Sequence, residues 1–256
     1  MEQAFFTEFW LPFLLIFARM AAFIAVLPFF AWQGIPVMLR VFFSFILALL
    51  LTLTLEVELS LPATSLELIL NLLREAAVGI VLGFVVYIFL STFLMAGQFM
   101  DHKAGLMMSG VFEPLFAGQV TTMGQFFYFL AVVFYLSVDG HHMLFLSLRD
   151  SFEMIPLAGG FMTPSLMWDF VHTFGSVFVI AFQIAAPVVI IVWILDIALG
   201  FISRTVPQIH VFIVGLPLRI FFALFVFMLM LPLLSGVMMD VFDLLREDFL
   251  LIMENW

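Results

Sequence analysis

The side chains able to do chemistry are few, and they are badly spaced for it. Asp139-Gly140-His141-His142 is the densest group of proton-transfer or metal-binding residues. Adjacent histidines point about 100° apart on a helix, so they do not make the i, i+4 pair of a helical zinc site. An intramembrane hydrolase would need a nucleophile or a metal constellation. The chain has neither a His-Glu-x-x-His nor a Gly-x-Ser-x-Gly pattern, and no cysteine. Polar capping of a helix end is the role expected of Asp139, His141 and His142. No catalytic residue, cofactor or metal is assigned.

Two charges deserve a different reading because they lie inside apolar segments. Arg19 falls in the middle of Phe9 to Ala31, and Asp196 falls within Phe170 to Ile202. An ion at that depth costs several kcal/mol in lipid, so both are expected to be buried ions that face protein or enclosed water. Asp196 and Arg204 are eight residues apart. They share roughly one helical face, so they either pair or serve different neighbours.

The elements that must position these groups follow from composition. Of 256 residues, 66% are hydrophobic and 10% charged, with a mean hydropathy of +1.28. Soluble domains run nearer half apolar and a quarter charged. The expected fold is therefore an all-α integral membrane protein of about six long apolar helices, several kinked or broken, arranged as helical hairpins within a larger assembly. The formal net charge of −10 argues against nucleic acid. Glu2 and Glu8 precede the first cation, Arg19. That is unlike the positive n-region of a signal peptide, so the first apolar stretch is expected to stay in the mature protein. Thirty-six phenylalanines and seventeen methionines suit lipid-facing surface and irregular gaps between helices.

Taken in order, Gln33-Gly34-Ile35-Pro36 is a turn, and Val41 to Leu55 is an apolar helix between Arg40 and Glu56. At about 22 Å it is shorter than a hydrocarbon core of about 30 Å. It must draw the stem of Arg40 inward or be shielded by neighbouring subunits. Glu56 to Glu75 reads as a soluble-looking connection with a cap at Ser65 and a short amphipathic helix. Ala76 to Ala96 is an uninterrupted apolar helix in which Gly79 and Gly83 lie on one face and permit close helix contact. Gly97 to Gln125 combines glycines with Met107, Met108, Phe112 and Phe116, making a loop both flexible and apolar. Met123 to Val138 is a short apolar run. Leu157 to Pro164 is the best internal boundary, dividing the chain into 1–163 and 164–256. Pro187 is expected to kink the long helix that follows, and Pro217 and Pro232 to interrupt the last one, from about Val211 to Met239. From Asp240 the tail alternates Val241, Leu244, Leu245, Phe249 and Ile252 with acids, as in a surface or partner-docking helix.

The stretch between the last two long helices concentrates what they lack: Arg204, Gln208, His210, Arg219, Pro207 and Pro217. Val206-Pro207 predicts a helix break, making a hairpin with a basic, polar tip. Arg204-x-x-Pro207-Gln208-x-x-Val211-Phe212, then Gly215-x-Pro217-Leu218-Arg219, resembles the signature of the flagellar export-gate FliR family, which includes the T subunit of virulence secretion systems. The turn at Gln33 with Arg40, and Gly140-His141-His142 followed by Ser151 and Pro156, are similar to that family too. The resemblance runs in order from Gln33 to Arg219.

The resemblance implies an export gate built with P-type and Q-type subunits, contacting a B-type switch subunit, through which unfolded secreted proteins thread. It implies a P-like portion at 1–163 and a Q-like hairpin at 164–256. It makes residues 97–125 a plug-like loop, with Gly105, Leu106, Met107, Met108, Ser109, Gly110, Val111, Phe112 and Phe116 as its gating residues. The location implied is the bacterial inner membrane, multi-pass in the lipid, within the flagellar basal body. The cationic tip would then face the cytoplasm. A single-chain secondary transporter of a small solute is the alternative; it predicts two halves of matching hydropathy, and no convincing repeat is visible.

Overall fold

In a computed structural model, residues 9–30, 35–55, 64–108, 121–159, 163–205 and 211–256 are described, with the side chains of 211 and 212 left aside. These residues form α-helices and short 3₁₀ turns, with no strand among them. The helices are α1 Leu11–Val26, α2 Val37–Thr54, α3 Ser65–Ala104, α4 Thr122–Ser137, α5 Gly140–Met154, α6 Pro164–Thr205, α7 Val211–Met230 and α8 Leu234–Glu254. Four helical stretches are long and apolar enough to cross a membrane: α2, α3, α6 and the run from α7 through α8. The bent pair α4 and α5 makes a fifth if read as one broken span, and α1 is a shorter apolar helix.

Several boundaries differ from the sequence reading, each for a local reason. α2 starts at Val37, after Pro36, so its 18 residues reach about 27 Å. Arg40 lies inside it, and its guanidinium donates back to the Ile35 carbonyl at 3.1 Å. α3 is one helix of 40 residues, not a polar connection followed by an apolar span. Its N-terminal cap is Thr64 rather than Ser65: the Thr64 hydroxyl accepts the Glu67 amide at 3.3 Å. Gly97 to Ala104, expected in the loop, is the last two turns of that helix. Pro187 and Pro217 both sit inside helices that continue past them. Each removes one backbone donor without ending its helix, which membrane helices tolerate. Pro232 does mark an interruption, in the 3₁₀ turn Leu231–Leu233. The break expected at Val206-Pro207 lies outside the described residues; α6 ends at Thr205.

The chain divides into two compact units. The first comprises Met1–Ile88, Asp139–Thr173 and Asp243–Trp256; the second comprises Phe89–Val138 and Phe174–Phe242. Each therefore draws on both sides of the Leu157 to Pro164 segment. In the first, α1 packs along α2, and Phe45 receives Phe13 and Phe17 edge-on at 5.2 and 6.3 Å. The tail of α8 turns Leu245, Phe249, Ile252 and Met253 inward. That apolar face is covered by the chain itself instead of being free for docking. Asp248 is buried with it and accepts the Thr173 hydroxyl at 2.7 Å.

In the second unit phenylalanine joins helix to helix, so lipid contact is not its only use. Phe99 meets Phe178 and Phe182 edge-on. Phe126 and Phe127 close on Phe227. Phe93, Phe134 and Tyr135 surround Phe242. Such ring pairs contribute roughly 0.5–1.5 kcal/mol each beyond area burial.

Candidate functional site: buried ions and close helix contacts

Arg19 has none of its surface exposed, and every guanidinium nitrogen has a partner. Nε donates to Glu75 Oε2 at 2.7 Å. One terminal nitrogen donates to the Ser151 carbonyl at 2.9 Å and hydroxyl at 3.2 Å, and the other to the Ile155 carbonyl at 2.9 Å. The Phe152 ring lies 4.2 Å from the guanidinium carbon. Ser151 and Ile155 belong to the C-terminal end of α5, where the dipole favours a cation; the Ser151 carbonyl also accepts the Ile155 amide at 2.9 Å. Glu75, 2% exposed, uses its second oxygen to accept the Ala158 amide at 2.9 Å. Ala158 has a positive φ of 63°, a conformation this bond helps to hold. Five residues from three helices and a turn are thus satisfied by one ion pair.

Sequence reasoning placed Glu75 in a polar connection and so missed it as the counter-ion. The signal was present: Glu75, Gly79 and Gly83 recur every four residues, on one helical face. Arg19, Phe23 and Val26 form the matching stripe on α1. A Cβ at Gly79 would collide with the Arg19 carbonyl and come within 3.0 Å of Ala22 Cβ. One at Gly83 would lie 3.0 Å from the Phe23 carbonyl and from Val26 Cβ. Both numberings ascend together, so α1 and α3 run parallel here. The close contact of the two glycines is within the chain.

In the second unit Asp196 pairs with Arg219, not Arg204. Asp196 Oδ1 and Arg219 Nε are 2.6 Å apart, but the N–H is not aimed at the oxygen. Charge attraction rather than an aligned hydrogen bond joins them. Four residues further along α7, toward its start, a Cβ on Gly215 would meet Leu199 Cδ1 at 3.3 Å. This fixes α6 and α7 as an antiparallel hairpin. Both partners are 37% exposed in the chain alone, so the burial expected of Asp196 is not supplied by this chain. Arg204, in the last turn of α6, is exposed. Pro207, Gln208 and His210 lie outside the described residues, as does the side chain of Phe212.

Of the plug-like loop, Gly105 to Met108 are described and Ser109, Gly110, Val111, Phe112 and Phe116 are not. Gly105 ends α3 at a φ of +80°, which favours glycine. A side chain there would press on Leu216 Cδ1 at 2.7 Å. Leu106, Met107 and Met108 form a half-buried 3₁₀ turn. Lys103, one turn earlier, holds its ammonium 5.1 Å from the Trp193 ring centroid.

Asp139 occupies the position expected of a cap, but its side chain does not cap α5. Its backbone carbonyl accepts the His142 and Met143 amides instead. Its φ of 58° brings its carboxylate to 3.3 Å from His142 Nδ1. One donor atom each from Asp139, His141 and His142 lies within 4.8 Å of the others. Asp139 and His142 are strongly solvated, so the group is an exposed polar corner.

Long apolar helices, ionic groups satisfied inside them and helix faces stripped to glycine together define a polytopic helical membrane protein. The comparisons then give its family. Bacterial export proteins, family 1, is matched over residues 10–245, and the chain belongs to that family. It is similar to "Flagellar biosynthetic protein FliR" of Bacillus subtilis (strain 168), with 34% identity over 92% of each chain. It is also similar to proteins of the same name from Aquifex aeolicus (strain VF5), at 26% over 99% of this chain and 96% of the other, and Escherichia coli (strain K12), at 22% over 68% of each.

Proposed function

We propose that this chain is a core subunit of the flagellar type III protein export gate. Membership of the export family and similarity to flagellar FliR proteins support a membrane-embedded component of the flagellar export apparatus. In the finer reading the chain joins P-type and Q-type subunits to form the conduit for unfolded flagellar proteins across the inner membrane, within the basal body. A B-type switch subunit contacts the assembly. Residues 1–163 act as the P-like portion and 164–256 as the Q-like hairpin, with Arg204 to Arg219 at its tip. The segment Gly105 to Gly118 restricts the passage. The subunit contributes wall and positioning, not bond-making.

The observation that carries this reading is the cover missing from particular helices. Only 11% of α2 and 17% of the most apolar 18-residue stretch of the α7–α8 run is buried within the chain, against 67% of the corresponding stretch of α3. Lipid could cover apolar surface, but the half-exposed Asp196–Arg219 pair needs a polar or protein neighbour. Sister subunits provide one. Affinity purification from flagellated cells tests the reading, with mass spectrometry of the companions. P-type and Q-type subunits should co-purify in fixed ratio; recovery of a well-folded, detergent-stable monomer would contradict it. Deleting the segment between Gly105 and Gly118 should raise ion leakage across the membrane, and an unchanged seal would remove its assigned role.

A further inference from the structure

Asp101 is a carboxylate with none of its surface exposed, and nothing in the proposed export role uses it. It lies in the last turns of α3, where the helix dipole disfavours a negative charge. Its support comes from another helix. Both carboxylate oxygens accept the Met123 amide, at 3.2 and 3.0 Å, and one also accepts the Gly124 amide at 3.2 Å. These are first-turn donors of α4, which no carbonyl of that helix can serve. The local capping position, Thr121, makes no side-chain cap bond. Asp101 therefore caps α4 from 22 and 23 residues away in sequence.

Packing agrees with the hydrogen bonds. Gly97 is one turn before Asp101 on the same face, and its missing Cβ would run into the backbone of Met123 and Gly124. Gly124 returns the contact, since its own Cβ would lie 3.0 Å from the Leu94 carbonyl. Leu94, Gly97 and Asp101 thus form one stripe, spaced by three and four residues, that seats the start of α4. The two glycines let the backbones close, and the carboxylate fixes the register.

We infer that Asp101 is a positioning residue: it sets where the chain leaves α3 and where it returns at α4, and so holds the two stems of the restricting segment at a fixed separation. The inference rests on the proposed role of Gly105 to Gly118. Freed from Asp101, the stems part and the restriction loosens, although the wall of the passage stands.

The experiment measures ion leakage in cells carrying the full complex. It compares Asp101→Asn and Asp101→Ala in the intact chain, and Asp101→Asn after deletion of residues 106–117. Asp101→Asn keeps one acceptor and should leak several-fold more than the parent, and Asp101→Ala more again. In the deletion background Asp101→Asn should add nothing, because its effect acts through the missing segment. If the deletion leaks while assembled Asp101→Asn seals normally, the inference falls and the role of the segment survives. If the deletion itself does not leak, that role falls first. An equal added leak in both backgrounds would make Asp101 merely structural and would also overturn the inference. Should Asp101→Ala fail to assemble, hydrogen exchange in the Asp101→Asn complex decides. The Met123 and Gly124 amides should exchange about tenfold faster while the rest of α4 keeps its protection; unchanged protection would overturn the inference.

Discussion

Arg19 is held by chemistry that a lysine could not supply. A planar guanidinium reaches a carboxylate, two backbone carbonyls and a hydroxyl at once, whereas an ammonium is a point charge with three donors. Arg19→Leu would leave Glu75 charged and buried, at a cost of about 3–5 kcal/mol. Arg19→Lys should recover little of it, while the double variant Arg19→Met with Glu75→Leu should recover most, because no lone charge remains. The apparent melting temperatures of the purified complexes check the order. Glycine substitution is a second residue-scale test. Gly79→Ala forces a methyl into the Arg19 carbonyl and should destabilise by roughly 1–3 kcal/mol. Gly200→Ala meets nothing within 4 Å and should leave the chain's own stability unchanged or slightly raised. Arg19 was legible in the sequence as an ion needing a partner. Its partner was not, because Glu56, Glu58, Glu67 and Arg74 make Glu75 look like one more residue of a polar connection.

At the scale of elements, helices overran the polar residues used to bound them. Glu67, Arg74, Asp101 and Lys103 are all inside α3, each with something that lets it stay. Glu67 lies in the first turn, where acids suit the dipole, and Asp101 is held by hydrogen bonds from the amides of α4. Hydropathy alone cannot see such pairings, since they depend on which segment packs alongside. Periodicity did show the glycine face at Gly79 and Gly83, because four-residue spacing survives whatever the partner. The hairpin of α6 and α7 was likewise legible from the polar tip between two apolar runs, but its ion pair was not, because Arg219 lies on the far arm. Reversing Arg219 alone to Asp sets two carboxylates together and should weaken hairpin assembly. Adding Asp196→Arg should restore it, with a coupling of about 1 kcal/mol. Recovery of the complex in pull-downs from the single and double variants measures this.

At the scale of the whole molecule, the most apolar 18-residue stretches of α2 and of the α7–α8 run are little covered by the chain, while that of α3 is mostly enclosed. Burial of this kind divides helices that carry the chain's own interior from helices that present surface to something else. Membrane composition alone fixes the class, and the family supplies the setting, but only contact with a substrate in transit distinguishes a conduit wall from a scaffold beside it. The direct measurement is photo-crosslinking to an export substrate stalled in the membrane, with the crosslinker placed at Met107 or at Met38. Met107 is half-buried near the start of the segment proposed to restrict the passage, and Met38 lies on the exposed face of α2. The account predicts substrate adducts from Met107 and none from Met38; adducts from neither position, with the complex assembled and the substrate stalled, would contradict it.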